Sequence, residues 1–205
     1  SKIDNLNFNF FENIINKFNK FNQEFTKNYV IANMFIIMKD LNIRVGNEKY
    51  LEENDSVGLC TLSKSNYKKI NIENKIVNKF IFKGKKGIIH EKILEPKHII
   101  FIENIIKIPG KFLFKYYQDN CYKKIISKNL NQFLKDNVDK SMSCKDIRTY
   151  CANNIFKKEY AKLLKNGMIP NKARIEATKI TAINLGNTPK VCRDSYIDPS
   201  LYLEN

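Results

Sequence analysis

Tyr196 stands just behind the turn Gly186-Asn187-Thr188-Pro189, which follows a helix-like segment ending at Leu185. In a strongly basic chain, a tyrosine delivered in this way can act as a nucleophile towards a DNA phosphodiester. A phenol is mostly protonated at neutral pH, so its oxygen must be activated before it attacks. Charge then develops on the non-bridging phosphate oxygens, which arginine forks can hold in pairs. The departing sugar oxygen needs a proton, and a lysine in a positive site can supply it. No step of this chemistry requires a metal.

The chain offers residues of these types. Arginine occurs only at positions 44, 148, 174 and 193, among 36 basic residues. Arg44 ends an apolar stretch in Ile43-Arg44-Val45-Gly46-Asn47-Glu48-Lys49-Tyr50, and Arg148 falls in Lys145-Asp146-Ile147-Arg148-Thr149-Tyr150. Lys85 sits in Lys83-Gly84-Lys85-Lys86-Gly87 between two β-branched and aromatic runs. Gly84-Lys85 lacks the remaining glycine and hydroxyl residue of a phosphate-cradling loop. Singly, each of these side chains reads more readily as structural or solvated; jointly they form a set.

The elements that must position them follow from periodicity. Residues 3–25 place Phe10, Phe11, Ile14, Ile15, Phe18, Phe21 and Phe25 at helical spacing, and 28–41 reads as a second, more buried helix. Residues 55–63 read as short and extended. Ile76–Phe82 and Ile88–Leu94 flank the glycine-containing turn and read as a hairpin. Ile99–Ile108 is read as a strand or a helix, ended by Pro109-Gly110. Helices are expected from Ser127 to Leu134, from Ser143 to Phe156, and as a short piece from Glu159 to Lys165. A further helix is capped by Asn171 and stopped by Gly186. The expected fold class is mostly α with a small antiparallel β-sheet or hairpin (α+β).

The net charge of +15 favours a polyanionic partner, most often nucleic acid. Five cysteines without a C-x-x-C pattern point to unpaired thiols in a reducing intracellular compartment and away from zinc. The two histidines, His90 and His98, give no metal-ligand spacing. No apolar run approaches the roughly 18 residues of a membrane span, since Glu103, Asn104 and Lys107 interrupt Ile99–Ile108. Neither a signal peptide nor a membrane partner is expected, and Ser rather than Met at residue 1 suits a processed, trimmed or partial chain.

Three separated stretches together resemble the catalytic domain of type IB DNA topoisomerases, in their poxvirus, giant-virus and bacterial branch. They are Arg44 to Tyr50 with Glu53-Asn54 and Gly58-Leu59-Cys60-Thr61-Leu62; Phe82-Lys83-Gly84-Lys85; and Lys145 to Tyr150 with Leu185 to Tyr196. The resemblance runs from about residue 28 onward. It implies the fold shared by tyrosine recombinases and type IB topoisomerases. It further implies relaxation of supercoiled duplex DNA through a transient 3′-phosphotyrosyl break, by a monomer and without cofactor.

On that resemblance Tyr196 is the nucleophile, and Arg44 and Arg148 contact the scissile phosphate. Lys85 and Lys145 serve the proton transfer to the 5′ oxygen. Asn187 stands where poxvirus and cellular eukaryotic relatives have histidine and bacterial ones commonly have asparagine; an amide donates a hydrogen bond but carries no charge. Tyr50 and Asn153 match phosphate-positioning residues, and Arg193 is either a DNA-backbone contact or solvated. The chain is expected to be a single catalytic domain over 1–205, with residues 1–27 a helical extension in place of the usual N-terminal β domain. The alternatives are a tyrosine recombinase or integrase and a non-enzymatic DNA-binding protein that keeps the fold. Lys145 stands where recombinases have the histidine of an H-x-x-R pair.

Overall fold

An almost uninterrupted apolar run, Tyr29 to Met38, forms the most buried helix of the protein. The computed structural model describes residue 3, residues 6–21 and residues 25–202, with the side chains of residues 18–21 excepted. Two compact units divide the chain: residues 7–142, and residues 1–6 with 143–205.

The unit of residues 7–142 begins with α1 (Phe8–Phe21) and α2 (Lys27–Leu41). Thr26 caps α2 by accepting from the Tyr29 amide, and Asn42 ends it in the left-handed region at φ 53°. The amphipathic helix expected over 3–25 is α1, whose Phe11 is fully buried while Phe10 faces solvent. The expected Phe18 and Phe21 contacts lie outside the described side chains. The Phe11 ring lies 4.9 Å from Phe35 of α2 and 6.3 Å from Phe133 of α5 (Ser127–Asn137), centroid to centroid. Burying one such ring stabilises the unit by roughly 1.5–3 kcal/mol.

The expected hairpin is present as β2 (Lys75–Lys83) and β3 (Ile89–Ile93), with Phe82 opposite His90. A third strand, β1 (Tyr67–Ile72), precedes it and completes an antiparallel sheet in the order β1-β2-β3. Glu73 and Asn74, at φ 50° and 64°, make the two-residue turn that the twist of paired strands favours. Phe80 and Phe82 lie on the sheet's buried face. A second hairpin, β4 (Lys115–Gln118) and β5 (Cys121–Lys124), uses the same device at Asp119-Asn120.

One segment of this unit departs from its expected form, and another settles between the two forms expected of it. Residues 55–63 are not extended throughout: Leu59–Thr61 form one 3-10 turn, preceded by a short helix α3 (Glu48–Asn54). The ambiguous stretch at 99–108 is helical, as α4 (Pro96–Ile105), because Pro96 starts it where an amide is not needed.

The other unit is built on α6 (Cys144–Lys165), α7 (Pro170–Leu185) and α8 (Pro189–Ser195). The two helices expected at 143–156 and 159–165 are one, α6, since no Gly or Pro interrupts the intervening residues. Asp146 accepts from both the amide and the hydroxyl of Ser143 at 2.8 Å, fixing its start. Pro170 occupies the first turn of α7, so Asn171 lies inside the helix rather than at its cap. Phe156, Ala177, Ala182, Cys192 and Ile197 form the core of this unit.

No helix among the described residues is long and apolar enough to cross a membrane. None of the five cysteines is in a disulfide, and burial pushes the Cys144 and Cys192 thiols up to about 12 and about 11. The small opposing charge effect of Arg148 on Cys192 does not reverse this.

Candidate active site

The sequence-derived candidates fall into the two units. Arg44, Tyr50 and Lys85 lie in the first, and Lys145, Arg148, Asn153, Asn187, Arg193 and Tyr196 in the second.

Arg44 follows α2 on a loop that packs backbone against backbone. The Leu59 amide donates to the Arg44 carbonyl at 2.7 Å, and the Cys60 amide to that of Val45 at 2.8 Å. Gly46 and Gly58 touch directly: a Cβ on Gly58 would lie 2.5 Å from the Gly46 Cα and 2.7 Å from the Arg44 carbonyl oxygen. Gly58→Ala is therefore expected to destabilise the protein by roughly 2–3 kcal/mol. The readout is a lower denaturant midpoint at unchanged m-value. An unchanged midpoint would show that this loop yields.

The same loop is tied to the lysine turn. The Val57 amide donates to the Lys83 carbonyl at 2.8 Å, and that of Gly84 to Ile88 at 2.7 Å. His90 crosses Gly84 so closely that a Cβ there would meet its Cδ2 at 2.5 Å. Arg44 and Lys85 consequently line one small pocket, with Val57, Phe82, His90 and Lys92 among its other walls. Lys85 itself is exposed. Tyr50 also points to solvent, from α3, where the Asn47 side chain accepts from its amide at 2.9 Å. His90 is a wall residue without a motif of its own; strand pairing opposite Phe82 is the signal that places it there.

In the second unit Tyr196 is held from several directions. Thr188 caps α8, accepting from the Val191 amide at 3.3 Å, and Tyr196 ends that helix. The buried neighbours Cys192 and Ile197 anchor the segment in the core. Asn153 of α6 donates to the Tyr196 carbonyl at 3.1 Å and accepts from the Asp198 amide at 2.8 Å. One amide side chain thus grips the backbone on both sides of residue 197, which leaves the phenol ring out of the grip. The ring is half-buried. The Lys145 Nζ lies 6.0 Å and the Arg148 Cζ 5.5 Å from its centroid.

Arg148 is itself buried, and one guanidinium nitrogen donates to the Leu185 carbonyl at 2.8 Å. A helix C-terminus presents unpaired carbonyls and partial negative charge, so it suits a cation. Immediately beyond, Gly186 takes the left-handed conformation at φ 62°. The Asn187 amide returns to the Ala182 carbonyl at 2.9 Å and that of Gly186 to Ile183 at 3.0 Å, a double-bonded helix stop. Asn187 leaves this turn half-buried. Arg193 is exposed and bonded to Asp194 at 3.0 Å, the arrangement of a solvated ion pair.

Asp40, Glu95 and His98 cluster closely enough to suggest cation ligands. Lys97 already stands there, 2.7 Å from Asp40 and 3.2 Å from Glu95. Burial would raise the Asp40 carboxyl, but hydrogen bonds from His98 and Lys97 and the charge of Lys39 outweigh it and hold the group at about 2. This cluster is an ion-pair network on α2 and α4 rather than a metal centre.

A helical fold with small antiparallel sheets, carrying a gripped tyrosine at the end of its last α-helix, belongs to the class of type IB topoisomerase catalytic domains. Residues 9–198 match the family of the eukaryotic DNA topoisomerase I catalytic core, and the chain belongs to that family. A 93-residue stretch, 45% of this chain, is 34% identical to the DNA topoisomerase 1B of Acanthamoeba polyphaga mimivirus. That match spans 26% of the viral protein's length.

Proposed function

We propose that the chain is a type IB DNA topoisomerase that nicks one strand of duplex DNA, lets the broken end swivel and reseals it. The Tyr196 oxygen attacks the scissile phosphorus and the 5′ oxygen leaves with a proton, so a phosphotyrosyl ester replaces the phosphodiester. Resealing reverses the exchange. The ester conserves the bond energy, and neither ATP nor a metal enters the balance.

The observation that carries this reading is the grip of Asn153 on the backbone beside Tyr196, with Lys145 and Arg148 next to the ring. Arg148 and Arg44 hold the non-bridging oxygens, and Lys85 and Lys145 serve the leaving oxygen. Asn187 donates one neutral hydrogen bond to the phosphate. Tyr50 and Arg193 meet the DNA backbone, with Arg193 exchanging Asp194 for a phosphate. The basic balance of the chain supports duplex DNA as the partner. The protein acts as a monomeric catalytic domain in a reducing intracellular compartment.

The test is plasmid relaxation with EDTA present and ATP omitted. Supercoils of both signs are expected to relax, at a rate that falls with salt. Relaxation that needs ATP or a divalent ion, or acts on one sign alone, would contradict the proposal.

A further inference from the structure

The segment beyond Tyr196 packs onto the helices that carry the rest of its unit. The Ile197 side chain is buried, and Pro199–Tyr202 form a single 3-10 turn. The Leu201 amide donates to the Asp198 carbonyl at 3.1 Å, while the Asp198 amide is the one held by Asn153. The turn therefore continues directly from the grip on Tyr196.

Tyr202 fixes its far end. Its ring stacks on Phe156 of α6, with centroids 5.5 Å apart and planes 28° apart. Phe156 stacks in turn on Tyr160 at 5.8 Å. The Tyr202 hydroxyl is hydrogen-bonded to Thr178 Oγ1 on α7. Thr178 uses its single hydroxyl proton on the Arg174 carbonyl, at 2.8 Å. The Tyr202 O–H must therefore be the donor, with Thr178 Oγ1 the acceptor.

The consequence is a tyrosine held between two fixed points. Upstream, Thr188 and the Gly186 stop set the entry of α8. Downstream, Tyr202 pins the turn to α6 through its ring and to α7 through its hydroxyl. α6 is common to both ends, because Arg148, Asn153 and Phe156 all project from it. Tyr202 is engaged with Phe156 and Thr178 of its own unit, so its effect reaches the chemistry through the placement of Tyr196.

We infer that Tyr202, with Thr178 as its acceptor, is a positioning residue that clasps the Tyr196 segment so that the phenol is presented in a fixed geometry by its own chain. The inference rests on the proposed role of Tyr196. A nucleophile displaced by about 1 Å can lose about a hundredfold in rate without losing its binding site.

The test measures single-turnover adduct formation and non-covalent DNA affinity on the whole chain, for the unaltered protein and four variants. Tyr202→Phe and Thr178→Val each remove the hydrogen bond but keep bulk, and are expected to slow adduct formation about tenfold with DNA affinity within about twofold. Their effects should not add, because each breaks the same bond. Tyr202→Ala also removes the ring stack and should cost about a hundredfold. Thr178→Ser keeps the acceptor and should restore the rate. Adduct formation at the unaltered rate in Tyr202→Phe and Thr178→Val overturns the inference, as does an equal fall in DNA affinity. If the unaltered protein forms no adduct, the proposed role of Tyr196 fails instead. Should Tyr202→Ala not fold, the two bulk-preserving variants decide.

Discussion

Tyr196→Phe is expected to eliminate plasmid relaxation, lowering it by at least about 10⁴-fold, while leaving DNA binding and folding intact. The substitution removes one oxygen and nothing that holds the segment. Asn153 bonds the Tyr196 carbonyl and the Asp198 amide, which are backbone groups that phenylalanine keeps. The ring remains beside Lys145 and Arg148, so cation–ring contact persists. Stability should stay within about 1 kcal/mol of the unaltered protein. Salt-dependent binding to duplex should also persist, since the basic side chains are untouched. Relaxation by this variant would assign the nucleophile elsewhere.

Arg148→Ala should show the next largest loss. The guanidinium is buried, bonded to the Leu185 carbonyl, and 5.5 Å from the Tyr196 ring. Truncation strands a helix-terminal carbonyl at a cost of about 1–3 kcal/mol. It also removes a fork suited to two phosphate oxygens, worth about 10²–10³ in cleavage rate. The two effects separate in Arg148→Lys, which keeps a charge near the helix end but not the planar fork. That variant is expected to recover much of the denaturant midpoint and little of the single-turnover rate. A rate that returns with the midpoint would make Arg148 a structural residue only.

Much of this arrangement was legible before the fold. The apolar run of α2, the hairpin around Lys85 and the Gly186 stop each carried a local signal that tertiary packing left unchanged. Strand β1 was hidden because Tyr67-Lys68-Lys69-Ile70-Asn71-Ile72 is solvated on most positions and its turn is Glu-Asn rather than a glycine pair. The 4-residue strands β4 and β5 are too short for alternation to register. At the other extreme, the sequence suggests two helices where α6 is one, although its capping Asp146 and unbroken interior favour one.

The site divides in the same way. Residue types and order picked out Arg44, Lys85, Arg148 and Tyr196. No local pattern foretold that Asn153 grips backbone around Tyr196, that Arg148 bonds the end of α7, or that Gly46 meets Gly58. Each joins residues far apart in sequence, and periodicity carries no information about such pairs.

Trapping the covalent intermediate decides whether Tyr196 is the nucleophile. Duplex labelled on either strand is incubated with the protein in EDTA, the reaction is stopped with SDS, and the adduct is digested and mapped. A single phosphotyrosine at Tyr196 is expected, joined to the 3′ end of the cut strand, with a free 5′ hydroxyl on the other fragment. No adduct, an adduct on another residue, or a 5′-phosphotyrosyl linkage would contradict it.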